Sequence, residues 1–327
     1  MAVPTGTTPE GPARVTVVIA ARNAAGTIEA CLRSIAAAHP GTAIVVADDG
    51  STDQTAQVAR RLGARVVEAS GAGPSAARNQ GVGAASSPLV AFTDADCTVE
   101  PGWLDALVEA LDGEGVAAAG GRQINAVGGR VTSPPAIVLG ALFRLAALVS
   151  DYTRSSGPRR DVPHNASCNS LYRRSVFLDA GGFRVGLWPG EDVDLDRRIR
   201  RRGYRLAYAP GAVVIHHRPA DPGWLSAMMR RYGRAQGQLV RIHGPFRLLH
   251  AVPAAVLAAF AAQAGWLVPA ARPALAAAWS ACILTGLVAL SRVAPLRLWP
   301  AIVRLGIVAA LQWHRGFLDG LVQPSGP

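Results

Sequence analysis

Lysine is missing from the 327 residues: all 33 basic side chains are arginine. That absence excludes a phosphate loop closed by lysine, a Schiff-base or pyridoxal-phosphate lysine, and the S-x-x-K arrangement of an acylating serine. Cysteine is scarce as well. Cys31, Cys97, Cys168 and Cys282 stand far apart, with no C-x-x-C pair and no metal-ligand rhythm. This argues against a thiolate metal site and fits buried thiols in a reducing compartment. The opening MAVPTGTTPEGPA has neither the charged nor the apolar region of a secretory signal, so residues 1–13 are expected to be a disordered lead-in. Acids, finally, all but vanish from the last third of the chain.

That last absence locates the net charge of +11. Residues 1–221 carry 23 Arg against 21 acids, whereas residues 222–327 carry 10 Arg against Asp319 alone. The basic excess thus coincides with the most apolar part of the chain. A nucleic-acid partner would prefer a basic face interleaved with polar or aromatic residues, and none is expected here. Arginines flanking long apolar runs instead indicate a membrane surface. Residues 248–271 and 273–291 are uncharged runs of 24 and 19 residues separated by Arg272, and both reach the roughly 20 residues a helix needs to cross a hydrocarbon core. They are expected to form a helical hairpin over part of 248–327, turning near Pro269–Pro273. Arginines gather on either side of it, at 230, 231, 234, 241 and 247, then at 292, 297 and 304. The asymmetry predicts that the large N-terminal part faces the cytoplasm. The shorter stretch 298–313, broken by Arg304, is expected to be interfacial or re-entrant, a third span being the alternative. Residues 222–247 are expected to be a basic amphipathic interfacial helix and linker. The competing reading of the whole region is a soluble all-helical domain.

The rest alternates buried strands with helices. VTVVIA (15–20), AIVVA (43–47), 65–68 and LVAFT (89–93) read as strands; stretches from Thr27, after Asp53 and from Pro74 read as helices. The pattern predicts an α/β domain over 14–221, with a mainly parallel sheet and helices on both faces. Ligands gather outside the carboxyl ends of such strands. Three of the four strands end in polar clusters: Arg22-Asn23, Asp48-Asp49, and Asp94 with Asp96. One nucleotide-sized site would explain all three. A D-x-D at a strand end can hold a hard divalent cation while leaving positions open for a diphosphate. A rival pattern, Gly71-Ala72-Gly73-Pro74-Ser75-Ala76, matches the G-x-G-x-x-A dinucleotide fingerprint. Two strand–helix units precede it, however, where that fingerprint follows the first strand.

Further on, HNASCNSLYRRSVFLDAGGF (164–183) leads to Gly190-Glu191-Asp192-Val193-Asp194 and an arginine-rich helix. Acids first and arginines last also suit a helix dipole. Asp192 is expected to deprotonate an acceptor hydroxyl, with Glu191 orienting it; Asp194 and Asp196 read as helix-start charge. Of His216 and His217, which end a strand, opposite faces allow at most one to ligate metal.

Taken together, these segments resemble the family 2 glycosyltransferases of GT-A fold. The likeness covers roughly 14–220, through VTVVIAARN, VVADDGSTD, GPSAARNQG, LVAFTDADC, NSLYRRSVF, GGF, GEDVDL and the His pair. The resemblance implies an inverting transferase using a nucleotide-sugar donor and Mg²⁺ or Mn²⁺. Asp49 and Arg78 would then hold the nucleobase beside the Ala20–Ala21 backbone, Asp94 the ribose, and Asp96 the metal. Asp192 would be the general base, and His216, or else His217, a further metal ligand. The C-terminal region resembles succinoglycan-type exopolysaccharide transferases, implying a lipid-linked acceptor at the cytoplasmic membrane. The Q-x-x-R-W signature of processive synthases is missing. Alternatives are transfer to a polyprenyl phosphate, or a non-catalytic membrane-anchored nucleotide-sugar binder.

Overall fold

The computed structural model describes residues 14–127, 136–138, 140, 158–219, 221–293 and 295–322. The expected lead-in over 1–13 lies outside them. The chain divides into two compact units: residues up to 126 with 146–218, and residues 127–145 with 219–324.

In the first unit, β1 (Val15–Ala21), β2 (Ala43–Asp48), β3 (Arg65–Glu68) and β4 (Leu89–Asp94) run parallel in the order β3-β2-β1-β4. They are joined by α1 (Ile28–Ala38), α2 (Thr55–Arg61) and α3 (Pro74–Ala84). The runs are apolar on both sides because both faces of the sheet are covered. Val15, Val17 and Ile19 pack with Ile28, Leu32 and Ile35 of α1, whereas Val18 faces Val82 of α3 and Phe92. Then follow β5 (Cys97–Val99), α4 (Trp103–Glu109), β6 (Val116–Val127), β7 (Arg160–Asp161), β8 (Asn169–Arg173), α5 (Arg174–Asp179), α6 (Glu191–Arg201) and β9 (Arg205–Arg218). The sheet continues β4-β8-β6-β9-β5, with β7 also on β9. Here the pairings β4–β8, β6–β8, β5–β9 and β7–β9 are antiparallel. The parallel half is therefore joined to an antiparallel half built on strands that sequence patterning largely missed. Rings of Phe92, Tyr172, Phe177 and Phe183, with centroids 5.1 to 6.4 Å apart, fasten α5 beneath the seam.

In the second unit, α7 (Pro222–His243) is capped by Asp221, whose carboxylate accepts from the Trp224 N–H at 2.5 Å. After α8 (Val252–Ala262) and α9 (Arg272–Val293) comes α10 (Trp299–Val322). The stretch expected to be interfacial or re-entrant is thus part of one continuous 24-residue helix. Leu248–Leu267 and Leu296–Val322 are long and apolar enough to cross a membrane, with mean hydropathies of 1.6 and 1.2, while Arg272–Val288 is apolar but shorter. Gln263 Oε1 ties the two arms of the hairpin, accepting from the indoles of Trp266 at 3.2 Å and Trp279 at 3.0 Å. Val138, Leu225 and Ile302 form a small core.

Two glycine pairs decide how α7 meets α10. A Cβ on Gly233 or Gly237 would overlap the carbonyls of Trp313 or Phe317, and one on Gly316 or Gly320 those of Arg230 or Arg234. The helices therefore touch backbone to backbone and run in the same direction, as small-x-x-x-small pairs permit. Arg230 Nη2 adds an ion pair to Asp319 at 2.8 Å.

Candidate active site

Strand register assembles the site. Ala20 of β1 lies opposite Asp94 of β4, and Ala21 opposite Asp48 of β2. The carbonyl of Ala21 accepts from the Asp49 N–H at 2.8 Å. Three acidic or backbone-lined strand ends therefore share one edge. Asp49 is buried and accepts from the Gly73 N–H at 3.1 and 3.3 Å, with Arg22 Nη1 4.0 Å away. Gly73 has φ of +94°, a conformation that suits glycine at the start of α3. Asn23, at φ +51°, accepts from the Thr52 N–H at 2.8 Å and so ties the β1 loop to the β2 loop.

From the other half, β9 pairs with β5 so that His216 stands opposite Cys97. His216 Nε2 lies 3.0 Å from Asp96 Oδ1. His217 points to the opposite, exposed face, 3.1 Å from Thr98 Oγ1. Potential ligand atoms of Asp94, Asp96, Cys97 and His216 lie within 4.8 Å of one another. Carboxylate oxygens with one imidazole suit Mn²⁺ or Mg²⁺ and leave room for further oxygens. Burial holds the Cys97 thiol well above its ordinary pKa, so it stays protonated and is a poor ligand for a hard ion. Burial pulls the His216 imidazole down, but its bonds to Asp96 and Cys168 outweigh that and hold it up to about 9.

The third contribution is the start of α6. Ser167 N–H and Val193 N–H hold the Asp192 carboxylate at 3.0 and 2.7 Å, leaving it half-buried. Glu191 is buried; its Oε1 accepts from Arg78 Nη1 at 2.8 Å and Ser167 Oγ at 3.1 Å, whereas Oε2 has no hydrogen-bond partner among the described residues. Arg78, only 2% exposed, also donates to Asp94 Oδ1 at 2.6 Å. Its guanidinium thus joins the D-x-D strand end to the α6 end. One guanidinium serves two carboxylates, with Asp192 close by. Burial, then the charge of Asp192, pushes Glu191 up to about 8 against the pull of Arg78.

The structure therefore brings Asp94, Asp96, His216, Arg78, Glu191 and Asp192 into one connected cluster, with Ala20, Ala21 and Asp49 at the neighbouring strand ends; His217 faces away. Asp194 and Asp196 are more than helix-start charges. Both are buried: Asp194 binds Arg198 at 2.7 Å, and Asp196 accepts from Tyr172 Oη at 2.9 Å and the Asn165 N–H at 2.7 Å. Asp196 thereby holds the 164–168 loop that presents Ser167 to Asp192, whereas Asp194 fixes Arg198 against the Ala180 and Gly182 carbonyls. Sequence reasoning missed Ser167, Cys168 and Gln123. The glycine pair before Gln123 was the available signal: a Cβ on Gly121 would overlap the Ala212 carbonyl, so β6 must approach β9 closely.

The chain is similar to known proteins in sequence and fold. Residues 16–181 match the family model described as glycosyl transferase family 2. The pre-mycofactocin glycosyltransferase of Mycobacterium tuberculosis is 33% identical over 245 residues, 71% of this chain and 49% of its own, so the chain spans about half the length of that relative. The glycosyltransferase AglE of Haloferax volcanii is 30% identical, covering 69% of this chain and 73% of its own. The succinoglycan biosynthesis protein ExoU of Rhizobium meliloti is 33% identical over 64% of each. Among solved structures, the mannosyltransferase PcManGT of Pyrobaculum calidifontis, in complex with GDP-Man and Mn²⁺, superposes with a TM-score of 0.59 at 23% identity, over 97% of this chain and 90% of that one. On its sheet order, its motifs and these matches, the chain belongs to glycosyl transferase family 2.

Proposed function

We propose that the chain transfers a sugar from a nucleotide-diphosphate donor, with inversion, to a hydroxyl of a lipid-linked saccharide at the cytoplasmic face of the membrane. The observation that carries this reading is the pairing of Asp96 with His216 at 3.0 Å, Asp94 alongside, at the carboxyl end of β4. Asp96 and His216 would hold a divalent ion, Mn²⁺ or Mg²⁺, whose positive charge is what a departing diphosphate needs. Asp49 and the Ala20–Ala21 backbone border the nucleoside, with Asp94 toward its ribose. Arg78 reaches the donor only indirectly, by fixing Asp94 and Glu191. Asp192 takes the proton of the acceptor hydroxyl as its oxygen bonds to the anomeric carbon and the bond from that carbon to the diphosphate oxygen breaks. Two backbone N–H groups keep the Asp192 carboxylate aimed, and Glu191, tied to Ser167, fixes the loop beneath it.

The lipid-linked acceptor is supported by the apolar hairpin and by a relative named for succinoglycan biosynthesis. The glycine contacts favour two spans over three. α7 carries Arg230, Arg231, Arg234 and Arg241, all exposed, and each would cost about 3 kcal/mol at a bilayer centre. Because α10 runs alongside α7 with Gly316 and Gly320 on the backbones of Arg230 and Arg234, its second half shares their depth. The residues of α10 before Trp313 are too few to cross alone.

The test is transfer of radiolabelled sugar from a panel of nucleotide sugars into the organic phase of membranes holding the full chain. A labelled lipid-linked saccharide formed by the wild type and not by Asp192→Asn supports the reading. A monosaccharide–phospholipid product favours direct transfer to a polyprenyl phosphate, and full activity in Asp192→Asn overturns the assignment.

A further inference from the structure

Behind His216, on the side away from Asp96, lies a buried polar cluster that the chemistry above leaves unused. Gln123 Nε2 stands 3.5 Å from His216 Nδ1 and donates to Asn125 Oδ1 at 2.7 Å. Gln123 Oε1 accepts from Cys168 Sγ at 3.3 Å. Asn125 is held in turn by Arg218 Nε at 3.4 Å. Gln123 and Cys168 are each 5% exposed and His216 2%. Water is thus largely kept from the ring, and its inner nitrogen depends on protein partners.

We propose that Gln123, braced by Cys168 and Asn125, is the positioning residue that fixes the His216 ring with Nε2 toward Asp96 and a proton kept on Nδ1. The inference rests on the reading of His216 as a metal ligand. An imidazole that gives its Nε2 lone pair to a cation keeps its remaining proton on Nδ1. That N–H needs an acceptor, since an unmatched buried donor is costly. Among the described residues, the Gln123 carboxamide is the side chain within hydrogen-bond distance of Nδ1. The carboxamide is nearly symmetric in shape, so a half-turn puts its oxygen on Nδ1; Asn125, turned likewise, then donates to that oxygen and gives up its 3.4 Å contact from Arg218 Nε, while the Cys168 sulfur accepts from the Gln123 nitrogen. Ring orientation and proton location are then set by one side chain that touches neither cation nor sugar. Partners of this kind commonly govern metal affinity 10- to 100-fold.

The experiment measures Mn²⁺ binding to the full chain in detergent from the electron paramagnetic resonance signal of the free ion, for wild type, Gln123→Met, Gln123→Glu and His216→Ala. Methionine keeps the volume but offers Nδ1–H no oxygen; glutamate keeps the acceptor. Expected is a loss of about 10- to 100-fold in Mn²⁺ affinity for Gln123→Met, with affinity in Gln123→Glu equal to or above wild type. Wild-type affinity in Gln123→Met beside weakened binding in His216→Ala overturns the positioning role alone. Unchanged binding in His216→Ala overturns the ligand reading and this inference together. Should Gln123→Met fail to fold, Gln123→Glu decides, and a tenfold or greater loss there contradicts the proposal.

Discussion

Asp192 and Glu191 are neighbours in sequence with opposite surroundings. Asp192 is half-buried and held by two N–H groups, while Glu191 is buried, with one oxygen unpartnered among the described residues. Replacing Asp192 by Asn keeps shape and hydrogen bonding but removes the proton acceptor. Turnover should fall by at least about 10²- to 10⁴-fold, with nucleotide-sugar affinity largely unchanged by calorimetry. Glu191 gives a pH signature. Its pKa rises on folding from an ordinary 4.5 to about 8, chiefly through burial. A raised pKa favours the folded state below the unfolded value, and that advantage disappears as pH climbs through about 8. Stability of the wild type relative to Glu191→Gln should therefore decline between pH 5 and pH 8.5. Thermal unfolding of the pair at both pH values checks it, and a constant difference would refute it. The sequence displayed Asp49 and Asp96 because acids closing apolar runs stand out, and Asp192 because acids open the arginine-rich helix. It could not display Arg78 as a buried link, since the partners Asp94 and Glu191 lie 16 and 113 residues away. Gln123 carried no signal beyond the glycines before it.

At the level of elements, the four parallel strands were legible to within a residue or so because both faces are buried and each run is continuously apolar. β5, β7 and β8 are two to five residues long, and β6 opens on alanines and glycines; none has the β-branched run that marks a strand. The strand expected to end in the His pair is longer, running through Pro210–Gly211 from Arg205 to Arg218 as one ladder. In the second unit the arginine-rich face of α7 was visible, but its partner was not, because close backbone packing depends on glycine spacing in two segments some eighty residues apart. Gly316→Leu would drive a side chain into the Arg230 carbonyl. Overpacking of this kind should cost about 1–3 kcal/mol, seen as a lower melting temperature of the full chain in detergent. A substitution at the exposed Leu311 should stay within about 0.5 kcal/mol.

For the molecule as a whole, the split of charge and hydropathy follows the division into two units. The nearly neutral first unit holds the polar cluster. The second leaves Leu248, Leu257, Leu267 and Leu284 exposed, side chains worth about 1.5–3 kcal/mol each when buried. With two spans, an epitope placed after Val322 and one placed before Arg14 should be reached from the same side of sealed vesicles. Labelling from opposite sides would mean three crossings. Both halves of the account meet in one claim, that the strand ends of β1, β2, β4 and β9 and the start of α6 form a single cation-dependent donor site. Ligand binding raises apparent stability. The most direct measurement is therefore the thermal shift given by nucleotide sugars to the full chain, with and without Mn²⁺, in wild type and Asp96→Asn. The account predicts a clear rise for at least one nucleotide sugar in the wild type with metal, and little or none without metal or in Asp96→Asn. An equal rise in all three conditions would contradict it.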